Sequence, residues 1–158
     1  MPGVGKSTIG RLLAAKIGFA FLDLDNLIRD GEGKTHAQIA LQRGDQELSR
    51  LEELYTLETN LDKTVFAPGG SIVYSEPAME KLRRDTRVIY LSAPLSVIHE
   101  RLGDQIAERG IVGFAEKGLA GVFAERQPLY ERYAHYRVEC GTASVEELVE
   151  RIAALPIW

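Results

Sequence analysis

The first residues of the chain are of the types that hold a phosphate. Gly5, Lys6 and Ser7 form the right half of the phosphate-loop pattern G-x-x-x-x-G-K-[ST], whose first glycine would lie one residue before Met1. Backbone N–H groups of such a loop wrap a phosphate, the following helix directs its positive end at it, and a lysine adds a full charge. A serine after the lysine can ligate Mg²⁺ beside the β- and γ-phosphates. The residues that we expect to bind the nucleotide are Gly3, Val4, Gly5, Lys6, Ser7 and Thr8.

Two carboxylates and a glycine pair follow short apolar runs further along the chain. Asp23 and Asp25 come after the run 19–22, and Gly69 and Gly70 come after a second run. Ligands of α/β sheets gather at the carboxyl ends of strands, so these residues are candidates for a binding site. The plainer alternatives are an ordinary strand-end carboxylate at Asp23, a helix cap at Asp25 and a simple tight turn at the glycines.

The apolar pattern predicts alternating helices and short strands that would position these residues. Glutamates of the helix at 45–60 are expected mostly on its outer face, Pro128 is expected to kink the helix at 115–133, and 103–113 is expected to be a mobile loop. The expected strands are 19–22, 64–67, 87–91 and 136–140, and the expected helices are 6–16, 25–29, 36–43, 45–60, 75–84, 94–102, 115–133 and 145–152.

Four apolar strands separated by helices predict an α/β fold in three layers, with a parallel sheet covered on both faces. A phosphate loop normally follows a central strand, and no such strand precedes this one. That strand would bury about five apolar residues at roughly 1.5–3 kcal/mol each, which is on the order of a whole domain's stability. We therefore expect 1–158 to be a single domain that is truncated at its N-terminus, with five strands in the full-length protein.

Composition narrows the class of protein. With 158 residues, 45% of them hydrophobic and 27% charged, the chain matches an ordinary globular domain. The net charge of −4 without a basic run argues against a nucleic acid as main partner, and no apolar run is long enough to span a membrane. Cys140 is the single cysteine, which fits a reducing compartment, and we expect a cytoplasmic protein. His36, His99 and His135 lack metal-ligand spacing, and we interpret them as surface or core-edge residues.

The order of motifs resembles the shikimate kinase family of P-loop small-molecule kinases over nearly the whole chain. The resemblance implies a P-loop kinase fold, a monomer, ATP and Mg²⁺ as cofactors, and a small-molecule substrate, shikimate, whose 3-hydroxyl is phosphorylated in aromatic amino acid biosynthesis. The motifs that carry it are GKST followed by IGRLLA, FLDLD, APGGS after a strand, RVIYL, and ERQPLYERYA near the C-terminus.

The resemblance also implies roles on the phosphate side of the site. Lys6 would hold the β- and γ-phosphates, Asp23 would hold Mg²⁺ through water together with Ser7, and Asp25 would orient or deprotonate the attacking hydroxyl. Arg109, in a mobile lid at about 103–115, would close over the transferred phosphoryl group. The family lid reads R-P-L-L and this chain has RGIV, so closure is expected to cost more ordering entropy.

On the acceptor side, Gly69 and Gly70 would present backbone N–H groups, and Arg126 would pair with the substrate carboxylate. The family has a second carboxylate anchor in the pattern F-R-x-x-E. This chain has Ser49 at the arginine position and Arg50 one residue later, about 100° further round a helix. Arg50 is therefore an expected substrate-binding residue only if its long side chain reaches the site.

This departure leaves two alternatives to a shikimate kinase. The first is a related kinase with another acceptor, such as a sugar acid. The second is a nucleotide-binding module without catalysis, favoured by the altered lid and the shifted arginine. The intact residues Lys6, Ser7, Asp23 and Asp25 count against the second alternative, since a binding module needs no carboxylate on the acceptor side.

Overall fold

The computed structural model describes residues 1–158, with the side chains of Gln105, Ala107 and Glu108 left aside. Helices and strands alternate in the expected order. The helices are α1 (Lys6–Ile17), α2 (Leu24–Glu32), α3 (His36–Arg43), α4 (Asp45–Glu58), α5 (Glu76–Asp85), α6 (Leu95–Leu102), α7 (Phe114–Tyr133) and α8 (Val145–Ala153). The strands are β1 (Ala20–Asp23), β2 (Thr64–Ala67), β3 (Ile89–Ser92) and β4 (Tyr136–Glu139), and 3₁₀ helices lie at Gly70–Tyr74 and Gly103–Arg109.

Local capping chemistry fixes where several helices begin. Thr35 and Ser144 each accept a bond from a backbone N–H three residues on, and the side chains of Gln38 and Glu147 bond back to the cap residue. Such capping boxes satisfy the free donors of a helix start, so the boundaries of α3 and α8 agree with those predicted from the sequence. The N-terminus of α3 matters most here, because it lies beside the candidate site.

The prediction of a kink at Pro128 is wrong. The backbone of α7 departs from helical geometry at Gly118, with φ 63° and ψ 178°, and it is helical at Pro128. Glycine reaches positive φ without a Cβ penalty, which explains the position of the break. Arg126 and Tyr130 are both bonded to neighbouring backbone carbonyls, and these contacts hold the helix on either side of the proline.

The strands form two parallel pairs rather than one four-stranded sheet. β1 pairs with β2 from Ala20↔Thr64 to Asp23↔Ala67, and β3 pairs with β4 from Ile89↔Tyr136 to Ser92↔Glu139. Between β2 and β3 lies a cavity of about 530 Å³. Apolar side chains of both strands line it, among them Val65, Phe66, Tyr90 and Leu91.

Apolar packing surrounds both pairs and places the site at their carboxyl ends. α1 packs on β1, β2 and α8. A separate apolar cluster of α2, α3 and α4 contains Leu24, Ile28, Ile39, Leu48 and Leu51, each at most 2% exposed. This cluster fixes α3 and α4 beside the residues that follow β1 and β2.

Candidate active site

The phosphate loop has the backbone shape that its glycines allow. Gly3 and Gly5 have φ values of 76° and 100°, in the region that L side chains rarely adopt. Lys6 bends back over the loop, and its Nζ donates a hydrogen bond to the carbonyl oxygen of Met1 at 3.0 Å. Burial lowers the pKa of Lys6, and the carboxylates of Asp25 and Asp23 oppose that shift. The loop thus combines glycine-dependent backbone geometry with one buried ammonium at the start of α1, which is the arrangement expected of a phosphate loop.

Asp23 connects the phosphate loop with the strand end. Ser7 Oγ donates to its Oδ2 at 2.5 Å, while its Oδ1 accepts from the backbone N–H groups of Asp25 at 3.0 Å and Asn26 at 3.4 Å. Asp23 is thus also the N-cap of α2, and both of its oxygens have fixed directions. The two adjacent oxygen ligands, Ser7 Oγ and the Asp23 carboxylate, are of the kind that Mg²⁺ prefers.

Gly69 lies where two carboxylates approach the strand end of β2. A Cβ on Gly69 would lie 2.1 Å from Glu52 Oε1, and 3.9 Å from Asp25 Oδ1. Any side chain at this position would therefore displace Glu52. The absence of a Cβ on Gly69 thus leaves room for the Glu52 carboxylate beside the turn and close to Asp25.

Arg126 lies on the other side of the same turn. Its side chain is 1% exposed, Nη2 donates to the carbonyl of Val112 at 2.9 Å, and the guanidinium lies 5.2 Å from the ring centre of Tyr74. A Cβ on Gly70 would come within 2.8 Å of Arg126 Nη1. The hydroxyl of Tyr130 donates to the Gly70 carbonyl at 2.7 Å and so fixes the turn beside the arginine.

The segment after α6 lies across α3 and α4. Gly110 has φ 58°, and a Cβ there would lie 2.6 Å from the backbone nitrogen of Ala37. The N–H of Gly113 donates to Asp45 Oδ2 at 2.7 Å. Arg109 ends the 3₁₀ helix before Gly110, where a loop was expected, and its charge contributes to the lowered pKa of Lys6. Glycine at 110 is therefore required by the close contact with α3 as well as by the backbone angle.

Arg50 does not join this group. Its side chain is 59% exposed and makes two hydrogen bonds to Glu47 of the same helix, at 2.8 and 2.9 Å. Ser49 is half-buried and, with Arg50, Ser71 and Tyr74, lines a cavity of about 250 Å³. At this point of α4 the arginine is therefore exposed and engaged with Glu47, and the neighbouring residue contributes only a small hydroxyl to the cavity.

Sequence reasoning missed two residues of the site. Glu52 is 2% exposed, although the α4 glutamates were expected mostly on the outside, and Ser71 Oγ donates to its Oε2 at 2.5 Å. Burial raises the pKa of Glu52 to about 7, with Asp25 adding to the shift and the Ser71 bond opposing it. His36, expected at the surface or core edge, lies with its Nε2 3.4 Å from Asp25 Oδ1 and 3.8 Å from Glu52 Oε1. The glutamate of the F-R-x-x-E pattern was the available signal for Glu52.

Comparison with known proteins decides the family. A family model described as shikimate kinase matches residues 2–155. The chain belongs to the shikimate kinase family. A shikimate kinase of Thermodesulfovibrio yellowstonii is 32% identical over 153 residues, spanning 95% of this chain and 87% of that protein. One of Chlorobium chlorochromatii is 36% identical over 169 residues, spanning 95% of this chain and 86% of that protein.

Solved structures agree with the family. The shikimate kinase of Acinetobacter baumannii in complex with shikimate superposes with a TM-score of 0.84 at 29% identity, covering 96% of this chain and 86% of that one. The predictions of a P-loop kinase fold, of a phosphotransferase and of ATP as donor are thereby confirmed.

Within the described part of the chain, no helix is long and apolar enough to cross a membrane.

Proposed function

We propose that this member of the shikimate kinase family transfers the γ-phosphoryl group of ATP to the 3-hydroxyl of shikimate. The observation that carries the proposal is the position of the turn at Gly69 and Gly70 between the two kinds of binding group. Gly69 adjoins Asp25, and Gly70 adjoins Arg126. A small hydroxy acid can therefore place its hydroxyl at the carboxylate and its own carboxylate at the guanidinium. The relative whose structure contains shikimate supports this choice of acceptor.

Donor binding uses the residues of the phosphate loop. Lys6 and the backbone N–H groups of residues 3–8 hold the β- and γ-phosphates. The chemistry that Mg²⁺ supplies when bound is neutralisation of charge on these phosphates. Ser7 and Asp23 are the residues that would hold the ion. The hydrogen bond of 2.5 Å between Ser7 Oγ and Asp23 Oδ2 keeps these two oxygens next to each other.

Acceptor binding places the reacting hydroxyl. Asp25 is exposed on 63% of its side-chain surface, so it is accessible to an acceptor, and it orients the hydroxyl and takes its proton. Arg126 supplies a planar guanidinium that suits a carboxylate. Arg109 stands in the segment over α3 and stabilises charge on the transferring group.

A second candidate acceptor is favoured because this chain has fewer arginines that could bind the substrate carboxylate. Ser49 leaves room where an arginine would bind the substrate carboxylate, and Arg50 is engaged with Glu47. Arg126 is then the principal carboxylate anchor, which weakens the preference for shikimate over another hydroxy acid such as a sugar acid. The kinase chemistry is the same for both acceptors.

We also propose that the domain is completed by a fifth strand in the full-length protein, lying in the cavity between β2 and β3. The support is the apolar lining of about 530 Å³ and the separation of the two strand pairs on either side. We further propose a monomer located in the cytoplasm. The single cysteine, Cys140, fits a reducing compartment, and the net charge of −4 fits a small-molecule substrate better than a nucleic acid.

A coupled ADP-release assay tests the function. Shikimate-dependent ADP release, lost in Asp25→Asn while ATP binding persists, supports the proposal. Release with a sugar acid but not with shikimate retains the kinase and replaces the acceptor. ATP binding without release on either acceptor supports a binding module instead.

A further inference from the structure

We infer that His36 is a positioning residue for phosphoryl transfer, whose Nε2–H holds the carboxylate of Asp25 in the direction of the acceptor hydroxyl. The inference rests on the proposed function in one respect, the role of Asp25 toward the acceptor. His36 itself does not touch the acceptor, because its Nε2 is buried behind the carboxylates. Its effect would act through Asp25.

The position of His36 is set by the start of α3. It is the first residue of that helix, directly after Thr35, whose capping box with Gln38 fixes the local backbone. Only 11% of the His36 side-chain surface is exposed. The imidazole therefore has a defined place, and its Nε2 is directed at the acceptor side of the site.

The surroundings of His36 Nε2 indicate a buried N–H donor whose hydrogen bond is not yet completed. Among the described residues Nε2 has no hydrogen bond of good geometry, although Asp25 Oδ1 lies at 3.4 Å and Glu52 Oε1 at 3.8 Å. A buried polar atom without a partner is unfavourable, so a small movement that completes a bond is favoured. Glu52 is held by Ser71, whereas the more exposed Asp25 is free to rotate. Asp25 is thus the carboxylate that closes onto His36.

The negative charges of Asp25 and Glu52 give the contact between His36 and Asp25 a second effect. Asp25 and Glu52 repel one another, and Asp25 contributes to the raised pKa of Glu52. An N–H donor between two carboxylates reduces this repulsion and fixes their separation. Lys6 and Arg126 also act on Glu52 from the other sides of the cluster. His36 is the ring donor that lies between the two acids.

The segment over α3 covers the histidine of this pair. A Cβ on Gly110 would lie 2.8 Å from the carbonyl carbon of His36, so the backbone of this segment packs on that of His36 without an intervening side chain. This contact shields the histidine from solvent. Shielding strengthens a hydrogen bond between His36 and Asp25 relative to one in water.

Paired substitutions test the inference in the intact protein. His36→Leu keeps apolar bulk and removes the donor, whereas His36→Gln places an amide N–H near the position of Nε2. We expect His36→Leu to lower kcat with shikimate about ten- to a hundredfold, with little change in KM for ATP. His36→Gln should recover kcat to within a few-fold of the unmodified protein. The matched control is His99→Leu, because His99 is an exposed histidine of α6, outside the site.

A double substitution separates positioning from structural effects. If His36 acts through Asp25, His36→Leu should lower the kcat of Asp25→Glu, which keeps a carboxylate but displaces it, less than it lowers the kcat of the unmodified protein, because coupled residues are not additive. Equal losses in His36→Leu and His36→Gln, or a kcat of His36→Leu within twofold of the unmodified protein, would overturn the inference.

Two further measurements keep the test decisive. Should His36→Leu fail to fold, His36→Gln is compared with the shorter His36→Asn, and equal kcat values for these two contradict the inference. Loss of the proposed function is distinguishable in the same assay, since the unmodified protein would then release no ADP with shikimate. If the unmodified protein turns over shikimate and Asp25→Asn does not, but His36→Leu keeps the kcat of the unmodified protein, then only the role of His36 is refuted.

Discussion

Replacing Ser49 by arginine should convert this site into one with two carboxylate anchors. Ser49 lines a cavity of about 250 Å³ between α4 and the 3₁₀ helix Gly70–Tyr74, together with Ser71 and Tyr74. Arg50, which follows it, also borders this cavity, but its side chain is 59% exposed and its guanidinium is bonded to Glu47. Ser49→Arg therefore places a second guanidinium at this cavity, and it leaves the bonds between Arg50 and Glu47 in place.

The size of the effect follows from the bond that is gained. A charge-assisted hydrogen bond contributes about 1.5–3 kcal/mol, which corresponds to about ten- to a hundredfold in affinity. Ordering a long side chain costs up to about 2 kcal/mol, which moves the expectation to the lower end of that range. We therefore expect KM for shikimate to fall about tenfold. The kcat should change little, because a remote carboxylate contact stabilises the ground state and the transition state equally.

Steady-state kinetics with varied shikimate at saturating ATP measure this effect. Arg50→Ala is the matched control and should leave KM for shikimate unchanged, because that side chain is exposed and its guanidinium is already paired with Glu47. Two results would refute the reasoning. One is a folded Ser49→Arg protein with unchanged KM, and the other is a tenfold rise of KM in Arg50→Ala.

Three further perturbations have expected outcomes. Gly69→Ala should remove most of the turnover and lower the melting temperature, because its Cβ would lie 2.1 Å from Glu52 Oε1; a folded variant of full activity contradicts this. Burial raises the pKa of Glu52 from 4.5 to about 7, so the folded state binds this proton more tightly than the unfolded state. The free energy of unfolding should then fall as pH rises from about 4.5 to about 7. In Glu52→Gln, denaturant unfolding should show no such fall over this pH range. If the free energies of unfolding of the two proteins depend on pH in the same way, the prediction is wrong. A segment of about five apolar residues fused ahead of Met1 should raise the melting temperature, whereas the same fusion with a central proline should not, because proline cannot complete the strand bonds.

Those parts of the fold with local causes could be predicted from the sequence. The starts of α3 and α8 follow from Thr35 and Ser144 with their partners three residues on, and these signals act within one helical turn. β2 was predicted with the bounds that the structure shows, from its apolar run. The break in α7 at Gly118 was not predicted, because a single glycine inside a helical pattern is usually tolerated and nothing in the local sequence marks it as non-helical.

The candidate site was predictable only where a motif names the residue. Lys6, Ser7 and Asp23 lie together as their motifs indicate. Whether a polar side chain of a helix faces the site or the solvent depends on how the helix is rotated against its neighbours. Glu52 and His36 lie beside the site because the apolar cluster of α2, α3 and α4 fixes that rotation; for Glu52 the family pattern F-R-x-x-E was a signal, and for His36 the sequence contains none.

The most direct test of the central claim is shikimate-dependent ADP release by the purified protein, measured with and without Asp25→Asn. The proposed function predicts turnover that saturates with shikimate and requires Mg²⁺. It also predicts that Asp25→Asn loses this turnover while still binding ATP. A folded protein that binds ATP but releases ADP at the same rate with and without shikimate would contradict the proposed acceptor.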